Sequence, residues 1–228
     1  MQVANPIQQV TQIVEAEHLL LNWQVMSGRC VDAGEVARVY SSKAQLLQAE
    51  GRHLQALSLL HEAIAYLAGR EDSNHPDTLL LREMAAASQL AVGDPAGALS
   101  ELDLLYEQWA NIGDTDGMAR AKFYSLDHYA TSGQYKLAWQ TFSSHAELFD
   151  VSAFPSMTLF INCLIQVADK LGKGDAVVML TNWLALIEDV EWEPDPVKQK
   201  SNLAWFENFR NSVGGLQGLL GLRSGALC

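Results

Sequence analysis

The chain has 228 residues, of which 49% are hydrophobic and 18% charged, so it can bury a sizeable core and lacks the composition of a disordered chain. Its formal net charge of −12 would repel a phosphate backbone, which disfavours nucleic-acid binding and favours a basic or neutral-polar partner. Three widely spaced cysteines, Cys30, Cys163 and Cys228, predict neither a disulfide framework nor a metal site.

The start of the chain lacks the residue pattern of a secretory signal. The stretch MQVANPIQQV has no Lys or Arg, and the first Lys or Arg in the chain is Arg29. No run of eighteen apolar residues occurs anywhere. We therefore predict no secretory signal, no membrane span and a cytoplasmic location.

Apolar residues recur at helical spacing along most of the chain, whereas alternating strand patterns are nearly absent. The run Leu54, Leu57, Leu60, Ile64 and Leu67 is typical. Aspartate–proline pairs at 94–95 and 195–196 mark helix starts. The pattern predicts an all-α chain with helices at 6–27, 33–50, 53–68, 77–92, 95–111, 115–132, 134–149, 155–171, 174–189 and 196–212.

A glycine recurs between pairs of predicted helices, at intervals of 42, 40 and 39 residues. Three of these glycines are followed five residues later by an alanine, in the pairs Gly51–Ala56, Gly93–Ala98 and Gly133–Ala138. The fourth, Gly172, has Val177 at that position and Ala176 one place earlier. The interval is that of an array of repeated units.

Each part of this motif suits the turn of a helical hairpin. Glycine suits a tight turn between antiparallel helices, because such turns often need a positive φ. The alanine would face the first helix and let the two helices approach closely. Four residues further on, the large side chains Leu60, Leu102 and Phe142 would fill the space beyond it.

These units resemble tetratricopeptide repeats. The first unit carries Tyr40, Ala44, Leu47, Gly51, Ala56, Leu60 and Ala63 in the family's order of large and small residues, and the third carries Leu126, Tyr129, Gly133, Ala138 and Phe142. The chain departs from the pattern at His145, and at Arg82 and Gln89 in the second unit. The connector at 74–81 is similar to those of kinesin-light-chain-like repeats and of bacterial signalling regulators.

The resemblance implies a right-handed α-solenoid in one domain, 1–212. Its repeats would span 37–70, 77–111, 115–149 and 155–190, between capping helices at 6–27 and 196–212. A cap shields the apolar face of an end hairpin; alternatively, one of these two helices docks a partner. The apolar, glycine-rich tail 213–228 is predicted to order only by docking on the last hairpin, on a partner or on a second copy.

The resemblance also implies a concave groove lined by the first helix of each hairpin. The groove residues carried over are Arg38, Ser41, Gln45, Glu83, Met84, Arg120, Phe123, Tyr124, Asp127, Asn162 and Gln166, with Leu159 and Cys163 beside the last two. Aromatic and arginine side chains dominate interface energetics, so the third unit is the most informative. The alternative is that Phe123 or Tyr124 packs against the neighbouring hairpin. Ser41 and Gln45 replace the lysine and asparagine that clamp chaperone tails in this family, which argues against that ligand.

Catalytic and cofactor motifs are absent from the sequence. The stretch KLGKGDAV, 170–177, lacks a phosphate-binding loop pattern, and His53 with His61 lacks a third metal ligand. We predict no metal and no cofactor. The expected function is non-catalytic: a scaffold that binds a peptide or helix of another protein. The alternative is a sensor that closes around a peptide or small effector, and an enzyme ranks third.

Overall fold

The computed structural model describes residues 6–27, 29, 31–68, 75–151 and 157–191, and the isolated positions 198, 208, 215, 218, 220 and 221. Within these residues every regular element is an α-helix, which confirms the prediction of an all-α chain. The helices are α1 (Pro6–Met26), α2 (Ala33–Ala49), α3 (His53–Ala68), α4 (Pro76–Val92), α5 (Pro95–Ile112), α6 (Thr115–Thr131), α7 (Tyr135–Ser144), α8 (Ala146–Val151), α9 (Met157–Lys170) and α10 (Gly174–Glu191).

One predicted helix, 134–149, is broken at His145. The backbone N–H of His145 donates to Phe142 O at 3.0 Å, as in a tighter turn. The ring Nδ1 of His145 lies 2.9 Å from Thr141 O, the carbonyl that the same N–H would use in an uninterrupted α-helix. The side chain thus competes with the backbone, and α7 ends at Ser144.

The other predicted helices through 174–189 begin and end within two residues of the observed ones. The predicted helix 196–212 and the tail 213–228 lie outside the described residues, apart from the isolated positions.

The chain divides into two compact units, Met1–Ile112 and Gly113–Cys228. The first contains α1–α5, and the second contains α6–α10. Within each unit consecutive helices pack in pairs, most extensively α3 on α4, α4 on α5 and α2 on α3 in the first and α9 on α10 in the second. The predictions of a solenoid and of one domain stay predictions.

Four turns share one hydrogen-bond pattern at the recurring glycines. At the first, Arg52 N–H donates to Leu47 O at 2.8 Å and Gly51 N–H to Gln48 O at 2.9 Å. Corresponding pairs of bonds close the turns at Gly93, Gly133 and Gly172, and the four glycines have φ between 68° and 89°. This is the Schellman motif, in which a left-handed residue lets the chain satisfy the last helix carbonyls. The predicted need for a positive φ is confirmed.

The predicted alanine stripe is buried. Ala56, Ala98 and Ala138 are fully buried, as are the large residues four positions later, Leu60, Leu102 and Phe142. In the fourth hairpin the stripe comes one residue earlier, because Leu180, Trp183 and Ile187 are the buried side chains of α10. Ala176 therefore occupies the place that alanine has in the other hairpins.

Arg82 stands where the repeat pattern expects an apolar side chain. Its Nε donates to Glu101 Oε1 at 2.6 Å, and Nη1 donates to Gln108 Oε1 at 2.9 Å. Both acceptors lie on α5. Charge-assisted bonds across the hairpin thus replace the apolar contact at this position.

Candidate binding surface

In the first unit, the predicted groove residues of α2 lie at the surface. The Arg38 side chain is 56% exposed, and its Nη1 forms an ion pair with Glu17 Oε2 of α1 at 2.9 Å. Ser41 Oγ donates to the Arg38 carbonyl at 3.0 Å, and Gln45 is exposed. A partner at this surface would therefore find Arg38 already paired.

The two predicted groove residues of α4 are buried. Glu83 is 1% exposed and Met84 is 5% exposed. The reason is that α4 packs against α2, α3 and α5, and Met84 belongs to the core of this unit. Neither side chain is within reach of a partner in this structure, so neither contributes to the surface proposed below.

In the second unit, α6 and α9 lie side by side. The rings of Phe123 and Phe160 meet edge to face with centroids 6.0 Å apart, and one turn further on Asp127 interacts electrostatically with Cys163. Because these contacts advance in the same direction along both helices, α6 and α9 run parallel. The structure thus brings the predicted groove residues of the third and fourth hairpins together.

Phe123 and Tyr124 have different surroundings. Phe123 packs against the core of the second unit, which also contains Phe142, Phe149 and Phe160. Its neighbour Tyr124 lies about 100° around the helix and is half-buried, with its ring centroid 6.3 Å from that of Phe123. Both rings are partly buried: Phe123 packs against this core and meets Phe160 of the neighbouring hairpin, which is the arrangement that the alternative predicted, and Tyr124 lies beside it.

Asp127 is a half-buried carboxylate. Burial raises its pKa above the usual value, and the neighbouring His128 only partly offsets this effect. Among the residues that the structure describes, none donates a hydrogen bond or an ion pair to this carboxylate. In the described part of the structure, Asp127 is therefore a partly desolvated acceptor without a hydrogen-bond donor.

Cys163 faces this carboxylate from α9. Burial, and next the negative charge of Asp127, raise the pKa of the Cys163 thiol to about 12. Because of this raised pKa, the side chain stays a protonated thiol at neutral pH, whereas the thiolate is the reactive form of cysteine. Cys163 therefore forms part of the surface, and its surroundings do not activate it as a nucleophile.

Exposed side chains of α9 continue the surface. Leu159 is 64% exposed, and Asn162 and Gln166 are exposed three and seven residues further along, on the same helical face. On α6, Arg120 is half-buried one turn before Tyr124. We define the α6–α9 surface as Tyr124, Asp127, Leu159, Asn162, Cys163 and Gln166.

A cavity of about 330 Å³ with a mixed polar and apolar lining lies in the first unit, among α3, α4 and α5. His61, Arg82, Gln89 and Glu101 line it, together with apolar residues. Arg82 and Glu101 are already bonded to each other, so a ligand would have to displace that pair.

In the described part of the chain, no group of three or more His, Cys, Asp or Glu side chains is placed to hold a metal ion. None of the helices found there combines the length and the apolar character that crossing a membrane requires.

Comparison with known protein families, curated proteins and solved structures finds no match to this chain. The tetratricopeptide resemblance consequently stays an expectation from the sequence motifs.

One surface was missed by the sequence analysis. The helix α1 has large apolar side chains on its exposed side as well as on its buried side. The signal was present, because apolar residues occupy nearly every face of the 6–27 segment. The predicted capping role explains the apolar side of α1 that packs against the first unit. It does not explain the apolar side that is exposed.

Proposed function

We propose that this protein is a non-catalytic, tetratricopeptide-like adaptor of the cytoplasm, whose α6–α9 surface binds a segment of another protein. The segment carries a basic or N–H donor group that pairs with Asp127, beside an apolar group that contacts Tyr124 and Leu159. The observation that carries this proposal is the Asp127 carboxylate, which is half-buried and has no donor among the described residues.

The energetics favour an external donor. A buried charge without a partner costs free energy, and a hydrogen bond to a charged group typically contributes roughly 1.5–3 kcal/mol. A partner that supplies the donor relieves a desolvation cost that the free protein already carries. Exposed Leu159, Asn162 and Gln166 around this point offer the mixture of apolar and amide contacts that a peptide segment needs.

The alternative is a sensor that encloses a small effector, and one cavity open to such an effector is the one around Arg82. We favour the adaptor because Arg82 is already bonded to Glu101 and Gln108 there. At the α6–α9 surface, by contrast, the carboxylate of Asp127 has no such partner in the described structure.

The proposal is tested by selecting binders from a displayed peptide library and measuring their affinities for three chains. These are the wild type, Asp127→Asn and the control Asp103→Asn, which removes the same charge from an exposed position of α5. We expect peptides enriched in Lys or Arg whose affinity falls tenfold or more with Asp127→Asn, a loss of about 1.4 kcal/mol or more, and stays unchanged with the control.

Two results would contradict the proposal. Equal weakening by both Asp→Asn variants would mean that only the overall negative charge attracts the peptides. Peptides whose affinity is unchanged by Asp127→Asn would place the binding surface elsewhere.

A further inference from the structure

The helix α1 packs on α2 through one face. Leu21 is buried in the core of the first unit, and Tyr40 OH donates to Asn22 Oδ1 at 3.1 Å. Ion pairs Glu15–Lys43 and Glu17–Arg38 flank this contact. The face of α1 that points towards α2 is therefore occupied by contacts with α2. The opposite side of α1 takes no part in these contacts.

That opposite side is apolar and exposed. Ile13, Leu20 and Trp23 are 58%, 56% and 56% exposed, and Leu19 and Met26 beside them are 67% and 87% exposed. Together with exposed Ala16 they form a continuous stripe at spacings of three and four residues, which we call the α1 outer face.

The size of this stripe indicates an interface. From these exposures, its accessible area is on the order of 700 Å², above the roughly 300–600 Å² of the largest apolar patch on a typical monomer. A standard stable interface buries about 800 Å² on each partner. Complete burial of this stripe on both copies would approach the area that a stable dimer needs.

The charges of α1 favour a second copy over a basic partner. Glu15 and Glu17 are the formal charges of α1, and both are paired with residues of α2. At the end of the stripe, the Arg29 guanidinium stacks on Trp23 at 5.2 Å from the ring centroid. Although the chain carries a net charge of −12, two copies could meet here without bringing unpaired carboxylates of α1 together.

The order of side chains suits a two-fold axis. Ala16 and Trp23 are equally far from the midpoint between Leu19 and Leu20, and so are Ile13 and Met26. In an antiparallel pair of α1 helices, the smallest residue of one stripe thus lies opposite the largest of the other. An interface that pairs a surface with itself has this self-complementary form.

We propose that the α1 outer face is a homodimer interface in which two α1 helices pack antiparallel about a two-fold axis between Leu19 and Leu20. This proposal is independent of the α6–α9 surface, since it uses residues of the first unit alone.

The test is the mass of the full chain in solution, measured by light scattering during size exclusion and by sedimentation. We expect the wild type at twice its 25.1 kDa, and Leu20→Glu as a monomer with an unchanged helical circular dichroism spectrum. The matched control is Leu54→Glu, which adds the same charge at a leucine of α3 that is 69% exposed and outside the stripe. It should remain a dimer.

A second variant distinguishes loss of the dimer from loss of the fold. Leu20→Ala removes apolar area without adding a charge and should weaken the dimer at least tenfold. A wild type that stays monomeric at about 100 µM overturns the proposal, as does a Leu20→Ala dimer of wild-type affinity. Dissociation of Leu54→Glu to the same degree as Leu20→Glu would also overturn it, by showing that added charge alone is responsible.

Discussion

The repeated turn makes a matched pair of glycine substitutions informative. Gly172 and Gly174 lie in the same turn, and a Cβ at either position would meet nothing within 4 Å. They differ in backbone conformation, because Gly172 has a φ of +68° whereas Gly174 begins α10 without a positive φ. Substitution by alanine therefore separates backbone strain from steric contact.

The expected changes have opposite signs. A left-handed backbone costs an L-residue roughly 1–2 kcal/mol, and the lower entropy of the unfolded alanine chain returns about 0.4–1 kcal/mol of this. We expect Gly172→Ala to lower the free energy of unfolding by about 1 kcal/mol. Gly174→Ala gains the entropy benefit without strain, so it should leave stability unchanged or raise it by up to about 1 kcal/mol.

The assay is urea unfolding followed by circular dichroism. With a slope of about 3 kcal/mol per molar, a difference of about 1–2 kcal/mol separates the two midpoints by roughly 0.3–0.7 M. Gly172→Asn should lie between the wild type and Gly172→Ala, because asparagine tolerates the left-handed region better. Equal midpoints for the two alanine variants would refute the assignment of positive φ as the reason for this glycine.

Three further predictions concern the core, the surface and the tail. Ala98→Trp should lower the free energy of unfolding by about 1–3 kcal/mol or more, because Ala98 is fully buried and the larger side chain would overpack the hairpin. The control Ala91→Trp, at an exposed site of α4, should leave it nearly unchanged in the same urea titration. Asp127→Asn should raise the free energy of unfolding at pH 7, because the raised pKa of Asp127 means that its charged form destabilises the folded wild type. Protonation removes this cost from the wild type. The advantage of the variant should therefore disappear as pH falls through the raised pKa towards 3.8. A gain that persists at low pH would contradict this. Deleting 213–228 should lower the melting temperature by a few degrees, because Leu220 packs against the core of the second unit; an unchanged melt would show that this contact contributes nothing.

Local rules account for what the sequence predicted well. The Schellman turns depend on a glycine and on helix carbonyls within six residues, so their positions could be inferred from spacing alone. The buried alanine stripe follows in the same way, because helix periodicity fixes which residues face the first helix of a hairpin.

Contacts between hairpins account for what the sequence did not decide. Phe123 and Tyr124 are adjacent aromatic residues, and nothing local shows which one faces α9. The choice is made by Phe160, a residue 37 positions away from Phe123, whose ring meets Phe123 edge to face. For Glu83, likewise, the three helices around α4 determine its burial, which a repeat pattern cannot supply.

Two features remain that folding does not require, and they are the most informative about function. A core gains nothing from a half-buried carboxylate such as Asp127, since an asparagine of the same shape would avoid the cost of desolvating a charge. A monomer likewise gains nothing from an exposed Trp23 or Leu20, because both leave apolar area in water. Features that reduce stability in the isolated chain are expected where a partner restores it. Among the described residues, Asp127 lacks a polar donor, whereas the α1 outer face lacks an apolar cover. The two surfaces therefore require partner groups of different chemistry. We therefore propose a second copy of the chain for the α1 outer face, and a different protein with a basic or N–H donor group for the α6–α9 surface.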